Sequence, residues 1–123
     1  MTIVDSCGWL EYFKDSPLAD HYEAYLAGPD LVVPTVVLYE VYKVLCRDLS
    51  QQGANWAAAR LKTSMVVPLD DRLALCAAEL CLQHGLAMAD AIVYATARSW
   101  DALLVTSDSH FEGLPGVEYI ERK

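Results

Sequence analysis

The stretch MADAIVYATARSWDALLVTSD, residues 88–108, joins two patterns that decide the fold class. Its first part, residues 88–100, is rich in alanine and has apolar residues at helical spacing, which predicts a helix. Its last part contains a short apolar run at residues 103–106, which predicts a strand. That strand leads within two residues to Asp108, so an acid follows the end of a buried strand.

The rest of the chain repeats this alternation between short strands and longer helices. Further strands are predicted at residues 2–4, 31–33, 65–67 and 117–120. Helices are expected around residues 9–13 and at residues 17–27, 35–51, 55–64 and 71–84. Strands that alternate with helices need crossover connections, which produce a mostly parallel sheet with helices on both faces. We therefore predict an α/β fold, a single domain over residues 1–123 with a central mostly parallel β-sheet flanked by helices.

Individual residues predict where several of these helices begin and end. Ser16 followed by Pro17 is typical of a helix start, with the serine as the N-cap residue and the proline in the first turn. Gly53 is expected to end the third helix, and Gly85 is expected to end the fifth, because glycine readily adopts the backbone conformation that terminates a helix.

Composition excludes several classes of protein. Hydrophobic residues make up 54% of the 123 residues and charged residues 21%, which excludes a disordered chain. No apolar run approaches the roughly 18–20 residues of a membrane helix, and the N-terminal MTIVD lacks the basic region of a signal peptide. The four cysteines, at positions 7, 46, 76 and 81, form no CxxC pair. Reduced thiols in a cytoplasmic protein without membrane contact are the simplest interpretation.

The net charge bears on the partners of the chain. With 9 basic and 17 acidic residues, the formal net charge is -8. Such a chain does not attract nucleic acid non-specifically through a broad basic surface. A substrate that carries phosphate groups must therefore be captured by some feature other than the overall charge of the protein.

Acidic residues stand where α/β proteins place their sites. Sites in open parallel sheets form beyond the carboxyl ends of the strands. Asp5 follows the first predicted strand and Asp108 follows the fourth, although each is also typical of a turn or a helix cap. Asp90 lies in the first turn of a helix, where the helix dipole favours an acid. The alanines around Asp90 allow that helix to lie close to the sheet, and so place this acid near the strand ends.

A fourth acid, Glu40, lies in a helix that is apolar nearly all round, which is typical of a buried helix. Lys43 and Arg47 follow it at spacings that put all three residues on one face. This face is either a solvated stripe with an ion pair or the position of a functional carboxylate, because a buried carboxylate is costly unless it is paired or binds a metal. The residues alone leave both interpretations open.

Four acids that converge at one rim repel one another unless a cation compensates their charge. Ligand sets made of oxygen atoms, without cysteine or histidine, suit Mg²⁺ or Mn²⁺ rather than zinc. A metal ion held in this way supports in-line attack of an activated water on a phosphodiester. The sequence therefore predicts a magnesium or manganese site formed by Asp5, Glu40, Asp90 and Asp108.

Four segments, in this order, resemble the PIN-domain ribonucleases, and among these the VapC toxins of prokaryotic toxin–antitoxin pairs. The segments are IVDS at residues 3–6, YEVY at residues 39–42, ADAI at residues 89–92 and LVTSD at residues 104–108. The resemblance spans essentially the whole chain. It implies a Mg²⁺- or Mn²⁺-dependent endoribonuclease that acts on RNA, forms a homodimer and is inhibited by a cognate DNA-binding antitoxin of the VapB kind.

The resemblance also implies roles for particular residues. The acidic quartet that holds the metal and carries out catalysis corresponds to Asp5, Glu40, Asp90 and Asp108. Ser6 and Thr106 match the hydroxyl positions that orient carboxylates or bound water around the metal, and Ser107 is a weaker match for that role.

The chain departs from the family pattern in its basic residues. No basic cluster lies near Asp108, where His110 is the nearest cation in the sequence. Lys43 and Arg47 are candidate contacts to the substrate backbone, although residues of this kind are more often plain surface charges. These departures concern the way in which RNA is bound more than the cleavage chemistry.

Three other functions stay open on sequence alone. The same metal site would serve a DNA nuclease, because no residue in the sequence is identified that would recognise the 2′-hydroxyl group by which RNA differs from DNA. A PIN-fold protein that has lost catalysis and acts only as a binding module is the second alternative. The third is a receiver-like signalling domain that binds Mg²⁺, although such domains carry adjacent acids after the first strand and Asp5 is followed here by Ser6.

Large apolar residues outside the acidic set are expected to pack or to bind partners. The three tryptophans, Trp9, Trp56 and Trp100, are interpreted as packing residues. A small chain with this much apolar side chain is also expected to present an apolar partner surface. We expect the contacts of the dimer and of the antitoxin on the helices between residues 9 and 45, where tyrosines such as Tyr22 and Tyr39 occur.

Overall fold

The computed structural model describes residues 1–122, and its elements alternate as the sequence predicts. The strands are β1 (Thr2–Val4), β2 (Val32–Pro34), β3 (Met65–Val67), β4 (Leu103–Thr106) and β5 (Val117–Tyr119). The helices are α1 (Ser6–Phe13), α2 (Ala19–Leu26), α3 (Thr35–Asp48), α4 (Gln51–Leu61), α5 (Asp71–His84) and α6 (Met88–Ser99). A 3₁₀ turn at Ser109–Phe111 follows β4.

All strand pairings in the described part of the chain are parallel. β4 lies between β1 and β5, and β2 pairs with β3. A parallel bridge between Thr2 and Leu31 joins the two groups at β1 and β2. The order across the sheet is therefore β3-β2-β1-β4-β5, with the carboxyl ends of all strands at one edge. This confirms the predicted α/β fold with a central parallel sheet flanked by helices.

The core is formed by the central strands and by helix faces packed on them. Ile3 and Val4 of β1 and Leu104 and Val105 of β4 are all buried, and burying a side chain of this kind contributes roughly 1.5–3 kcal/mol to folding. The most deeply packed helix is α6, which is buried at each residue from 91 to 97. Three of these residues are alanines, so α6 lies close to the sheet and its first turn reaches the carboxyl edge.

Two helix ends differ from the sequence prediction and one agrees with it. α2 begins at Ala19. The Ser16 carbonyl oxygen accepts the Ala19 backbone N–H, and the Ser16 side chain does not cap the helix. Gly53 lies inside α4 and does not end α3. Ser50 caps α4 by accepting the Gly53 N–H at 2.9 Å, and this cap outweighs the weak helix-breaking tendency of one glycine. Gly85 ends α5 as predicted, with φ of 68°.

The burial of several aromatic residues differs from the prediction. Trp9 is buried and Trp100 packs against the core, but Trp56 is 77% exposed on α4, so its interpretation as a packing residue was wrong. Tyr22, expected on a partner surface, is fully buried instead, while Tyr39 is exposed. Helical periodicity alone did not separate these cases because α3 and α4 carry apolar residues on more than one face.

The helices within residues 1–122 are short compared with a lipid bilayer. None of them has by itself the length and apolar character of a membrane span. α5 and α6 meet that description only when they are joined, and the chain bends by 112° between them.

Gly8 allows α1 to pack closely against α2 and β1. A Cβ atom at this position would lie 2.6 Å from the Val4 side chain and closer still to the Tyr22 ring. Both neighbours are buried, so neither has room to move aside. The missing side chain at Gly8 therefore sets the position of the first turn of α1, next to Asp5.

We expect Gly8→Ala to lower the free energy of unfolding by about 1–3 kcal/mol, because the added methyl group overpacks the core. Urea denaturation followed by circular dichroism measures the change. Gly53→Ala is the matched control, since its Cβ meets the flexible Ser50 side chain at 3.1 Å, and its effect should stay below about 1 kcal/mol. Equal losses in the two variants would contradict the overpacking argument.

Candidate metal centre

The acids of the predicted quartet lie at the carboxyl edge of the sheet. Among the described residues, Asp90 and Asp108 have donor atoms close enough to share one ion, and Asp5 and Glu40 are not part of that group. Asp5 follows β1 and caps α1, Asp108 follows β4, and Asp90 lies in the first turn of α6. Because Val4 pairs with Val105, the residues after β1 and after β4 lie side by side. Glu40 approaches from α3, where burial raises its pKa and the negative charges of Asp90 and Asp108 add to the rise.

Asp5 is held by a short hydrogen-bond network. Its Oδ1 accepts the Ser6 backbone N–H at 2.8 Å, and its Oδ2 accepts the Thr106 hydroxyl at 2.9 Å. The Thr106 Oγ1 atom in turn accepts the Asp108 backbone N–H at 3.0 Å. One threonine hydroxyl therefore fixes both the Asp5 carboxylate and the start of the segment that carries Asp108.

Burial and mutual repulsion perturb the pKa values of these acids. Burial raises the pKa of Asp5 to about 6, against the opposing effect of the Thr106 and Ser6 hydrogen bonds. Burial is also the first cause of the raised pKa values of Glu40 and Asp90, and neighbouring carboxylates add to both. Acids held together in this way bear an excess of negative charge that a bound cation would neutralise.

His110 adds a nitrogen atom to the cluster. Its Nδ1 lies 3.1 Å from Asp108 Oδ1 and 3.7 Å from Asp90 Oδ2. These three residues each offer one donor atom, and the donor atoms lie within 4.8 Å of one another. The sequence pattern predicts oxygen ligands alone, because it identifies His110 only as a nearby cation and cannot show that the 3₁₀ turn directs its ring toward Asp90.

The donor set fits a divalent metal ion. Carboxylate oxygens are the protein ligands that Mg²⁺ and Mn²⁺ favour. The Asp90 and Asp108 side chains are partly open to solvent, so an ion and a substrate phosphate have access to them. Asp5 lies deeper, and Glu40 is half-buried beside them.

Ser107 lies behind the carboxylates. Its hydroxyl forms a 2.6 Å hydrogen bond with the Tyr22 hydroxyl, and not with one of the acids. Cys7 lies next to it, with its Sγ 3.7 Å from Asp5 Oδ2. Burial and the Asp5 charge raise the pKa of the Cys7 thiol, and a protonated thiol is a poor nucleophile.

Lys43 and Arg47, the predicted substrate contacts, have different environments. The charge of Lys43 partly opposes the rise in the Glu40 pKa that burial causes. Arg47 forms a 2.7 Å salt bridge with Asp48 on the surface. Of these two residues, Lys43 is therefore the one whose charge acts on the quartet.

A cavity of about 460 Å³ adjoins the cluster and contains a basic residue that the sequence pattern does not reveal. Its lining includes Asp108, Ser109, Tyr119 and Arg122. Thr106 of β4 pairs with Tyr119 of β5, so the segments that follow these strands lie side by side at the carboxyl edge. This pairing places Arg122 and Asp108 in the lining of one cavity although the two are separated in sequence. The Arg122 Nε atom lies 4.0 Å from Glu11 Oε1.

Fold and site together define a class: α/β proteins with a carboxylate cluster at the carboxyl edge of a parallel sheet. The family model described as PIN domain matches residues 2–117. The chain belongs to the PIN domain family. The resemblance seen in the four sequence segments is thereby confirmed.

Solved structures share this fold over nearly the whole chain. A toxin–antitoxin complex from Klebsiella pneumoniae matches with a TM-score of 0.84 at 22% identity, covering 99% of this chain and 100% of that chain. VapC20 of Mycobacterium tuberculosis, described as a sarcin-ricin loop cleaving toxin, matches with a TM-score of 0.80 at 21% identity, covering 99% and 98%. DNA-bound VapBC from Salmonella typhimurium gives 0.75 at 16% identity, covering 98% of each chain. Among curated proteins, none matches this chain in sequence.

The raised pKa of Asp5 makes stability depend on pH in a definite direction. A group that binds its proton more tightly in the folded state stabilises the fold at low pH and loses this contribution as pH rises through the folded pKa. With an ordinary pKa of 3.8 and a folded pKa of about 6, the contribution is complete below about pH 4 and lost above about pH 6.

We therefore expect Asp5→Asn to stabilise the metal-free protein relative to wild type by about 2 kcal/mol more at pH 7 than at pH 4.5. Urea denaturation in EDTA at the two pH values measures the difference. Asp101→Asn is the control, because Asp101 is exposed just before β4 begins, and its effect should be equal at both pH values. A pH-independent effect of Asp5→Asn would contradict the raised pKa.

Proposed function

We propose that this chain is a metal-dependent endoribonuclease that acts as the toxin of a type II, VapBC-like toxin–antitoxin pair. The observation that carries the proposal is the convergence of Asp90, Asp108 and His110 donor atoms within 4.8 Å at the sheet edge, beside the buried Asp5. Carboxylates that come from separate elements and lie close together repel one another, which destabilises the fold unless a cation binds between them. Such an arrangement is typical of the metal site of an enzyme that cleaves phosphodiesters.

Each acid has a separate role in this proposal. Asp90 and Asp108 hold Mg²⁺ or Mn²⁺, and Asp5 binds it directly or through water. Glu40 is a further ligand or the base that orients and deprotonates the attacking water, a role for which a raised pKa is suitable. The metal, when bound, lowers the pKa of a coordinated water and neutralises charge on the scissile phosphate.

The hydroxyl residues position the acids. Thr106 holds Asp5 in place through its 2.9 Å hydrogen bond. Ser6 donates its backbone N–H to Asp5, and its side chain favours the charged form of Glu40. We do not extend this role to Ser107, whose hydroxyl is bonded to Tyr22.

RNA is the proposed substrate because of the kind of protein that shares this fold. VapC20, which matches the chain over 99% of its length, is described as cleaving the sarcin-ricin loop. DNA cleavage and a binding module without catalysis are the competing functions. Parallel incubation with RNA and with DNA of the same sequence distinguishes all three.

Asp90→Asn should abolish Mg²⁺- or Mn²⁺-dependent RNA cleavage and leave the protein folded, since it removes one charge from the cluster without changing the shape of the side chain. Cleavage of labelled RNA on denaturing gels, with and without metal, measures this. Asp101→Asn is the control and should cleave like wild type. Full cleavage by the Asp90 variant would refute the site assignment.

Basic side chains near the quartet would contact the RNA backbone. Lys43 lies beside Glu40, and Arg122 lines the cavity next to Asp108. Arg47 is a weaker candidate because its guanidinium group pairs with Asp48 at 2.7 Å, a tighter contact than the 4.0 Å between Arg122 and Glu11. With a net charge of -8, binding would depend on these few local contacts and on the metal.

Arg122→Gln, in the cleavage-defective Asp90→Asn background, should weaken RNA binding and reduce the slope of log Kd against log salt by about 0.7–1, the loss of one phosphate contact. Fluorescence anisotropy at several salt concentrations measures the slope. Lys62→Gln, at the exposed end of α4, removes an equal charge and should leave the slope unchanged. An unchanged slope in the Arg122 variant would exclude this contact.

An antitoxin and a second copy of the chain are the proposed partners in the cytoplasm. The structures that share the fold include a toxin–antitoxin complex and DNA-bound VapBC. The acidic surface suits a basic antitoxin segment. The helices between residues 9 and 45, where Tyr39 is exposed, are the proposed place of the dimer and antitoxin contacts. Large exposed side chains also occur on α5 and at the start of α6, at Leu75, Leu82 and Met88.

A further inference from the structure

His110 is held in a fixed position relative to Asp108. The 3₁₀ turn that carries it is anchored by Phe111, which is fully buried. The Asp108 side chain caps this turn by accepting the His110 backbone N–H at 2.9 Å. The imidazole ring therefore stands on a backbone that core packing and one hydrogen bond hold next to the carboxylate.

The ring itself is open to solvent and faces the acids. The His110 side chain is 73% exposed, and its Nδ1 is 3.1 Å from Asp108 Oδ1 and 3.7 Å from Asp90 Oδ2. A simple ion pair at this exposure would contribute little to stability. The donor atoms of His110, Asp90 and Asp108 lie within 4.8 Å of one another, close enough for one ion to contact all three.

Imidazole nitrogen changes the selectivity of a carboxylate site. Mg²⁺ binds oxygen ligands and water almost exclusively, whereas imidazole is a good ligand for divalent transition metals. A nitrogen ligand therefore adds affinity for Mn²⁺ and adds little for Mg²⁺, which retains water at that position.

We propose that His110 is a direct metal ligand and gives this centre a preference for Mn²⁺ over Mg²⁺. The inference rests on the proposed function only in taking the Asp90–Asp108 cluster as the place where the metal binds. It assigns a nitrogen ligand to a site for which the sequence predicts oxygen alone.

Pulsed electron paramagnetic resonance of Mn²⁺ bound to the protein tests this directly. Wild-type protein should show coupling of the manganese to a ¹⁴N nucleus, and His110→Ala should lose it. His21→Ala is the matched control, because His21 is exposed on α2 outside the cluster, and it should retain the coupling.

Calorimetric titration gives a second readout. His110→Ala should weaken Mn²⁺ binding on the order of 10–100-fold, as loss of groups that support a metal does in other proteins, and should change Mg²⁺ binding far less. Coupling that is absent in wild type, or that persists in His110→Ala, would overturn the proposal, as would equal losses for both metals.

The failure of this inference is distinguishable from failure of the proposed function. Mn²⁺ bound without nitrogen coupling, together with Mg²⁺-dependent RNA cleavage that Asp90→Asn abolishes, would remove His110 as a ligand and leave the nuclease intact. Absence of Mn²⁺ binding in wild type would overturn the His110 assignment. Absence of RNA cleavage with either Mg²⁺ or Mn²⁺ would count against the proposed function.

Discussion

The Thr106 hydroxyl is the contact on which the geometry of the site depends. It donates to the Asp5 carboxylate and accepts the Asp108 backbone N–H, so it ties the ends of two adjacent strands together. This is only effective because β1 and β4 pair in parallel with Val4 opposite Val105. A slip of one residue between these strands would reverse the direction of the side chains and separate the two acids.

The acids oppose folding as long as they are not neutralised. Burial raises the pKa values of Asp5, Glu40 and Asp90, so their charged forms cost stability at neutral pH. A site that conflicts in this way with the stability of its own fold is typical of function, because natural proteins depart from favourable local choices at their functional sites. The buried core of β1, β4 and α6 supplies the stability that tolerates this cost.

Much of the fold, and the placement of several residues of the candidate site, could be predicted because their signals are local. Short apolar runs and helical spacing predicted the strands and the parallel sheet, and Asp5 and Asp108 were found because each follows a strand. Gly53 was assigned wrongly because the Ser50 cap competes with it. His110 as a metal-facing group and Arg122 beside Asp108 could not be predicted, since strand pairing and a 3₁₀ turn place them there.

The sequence by itself determined the fold class, the positions of Asp5, Asp90 and Asp108 near strand and helix ends, the position of Glu40 within a helix, and the excess of negative charge. These follow from periodicity and composition, which are properties of neighbouring residues. Tertiary structure alone decided which side chains meet. It turns Ser107 toward Tyr22 and places Lys43, rather than Arg47, beside the quartet. It also brings a histidine nitrogen next to the carboxylates. Contacts of this kind depend on strand register and helix packing, which join residues far apart in the chain.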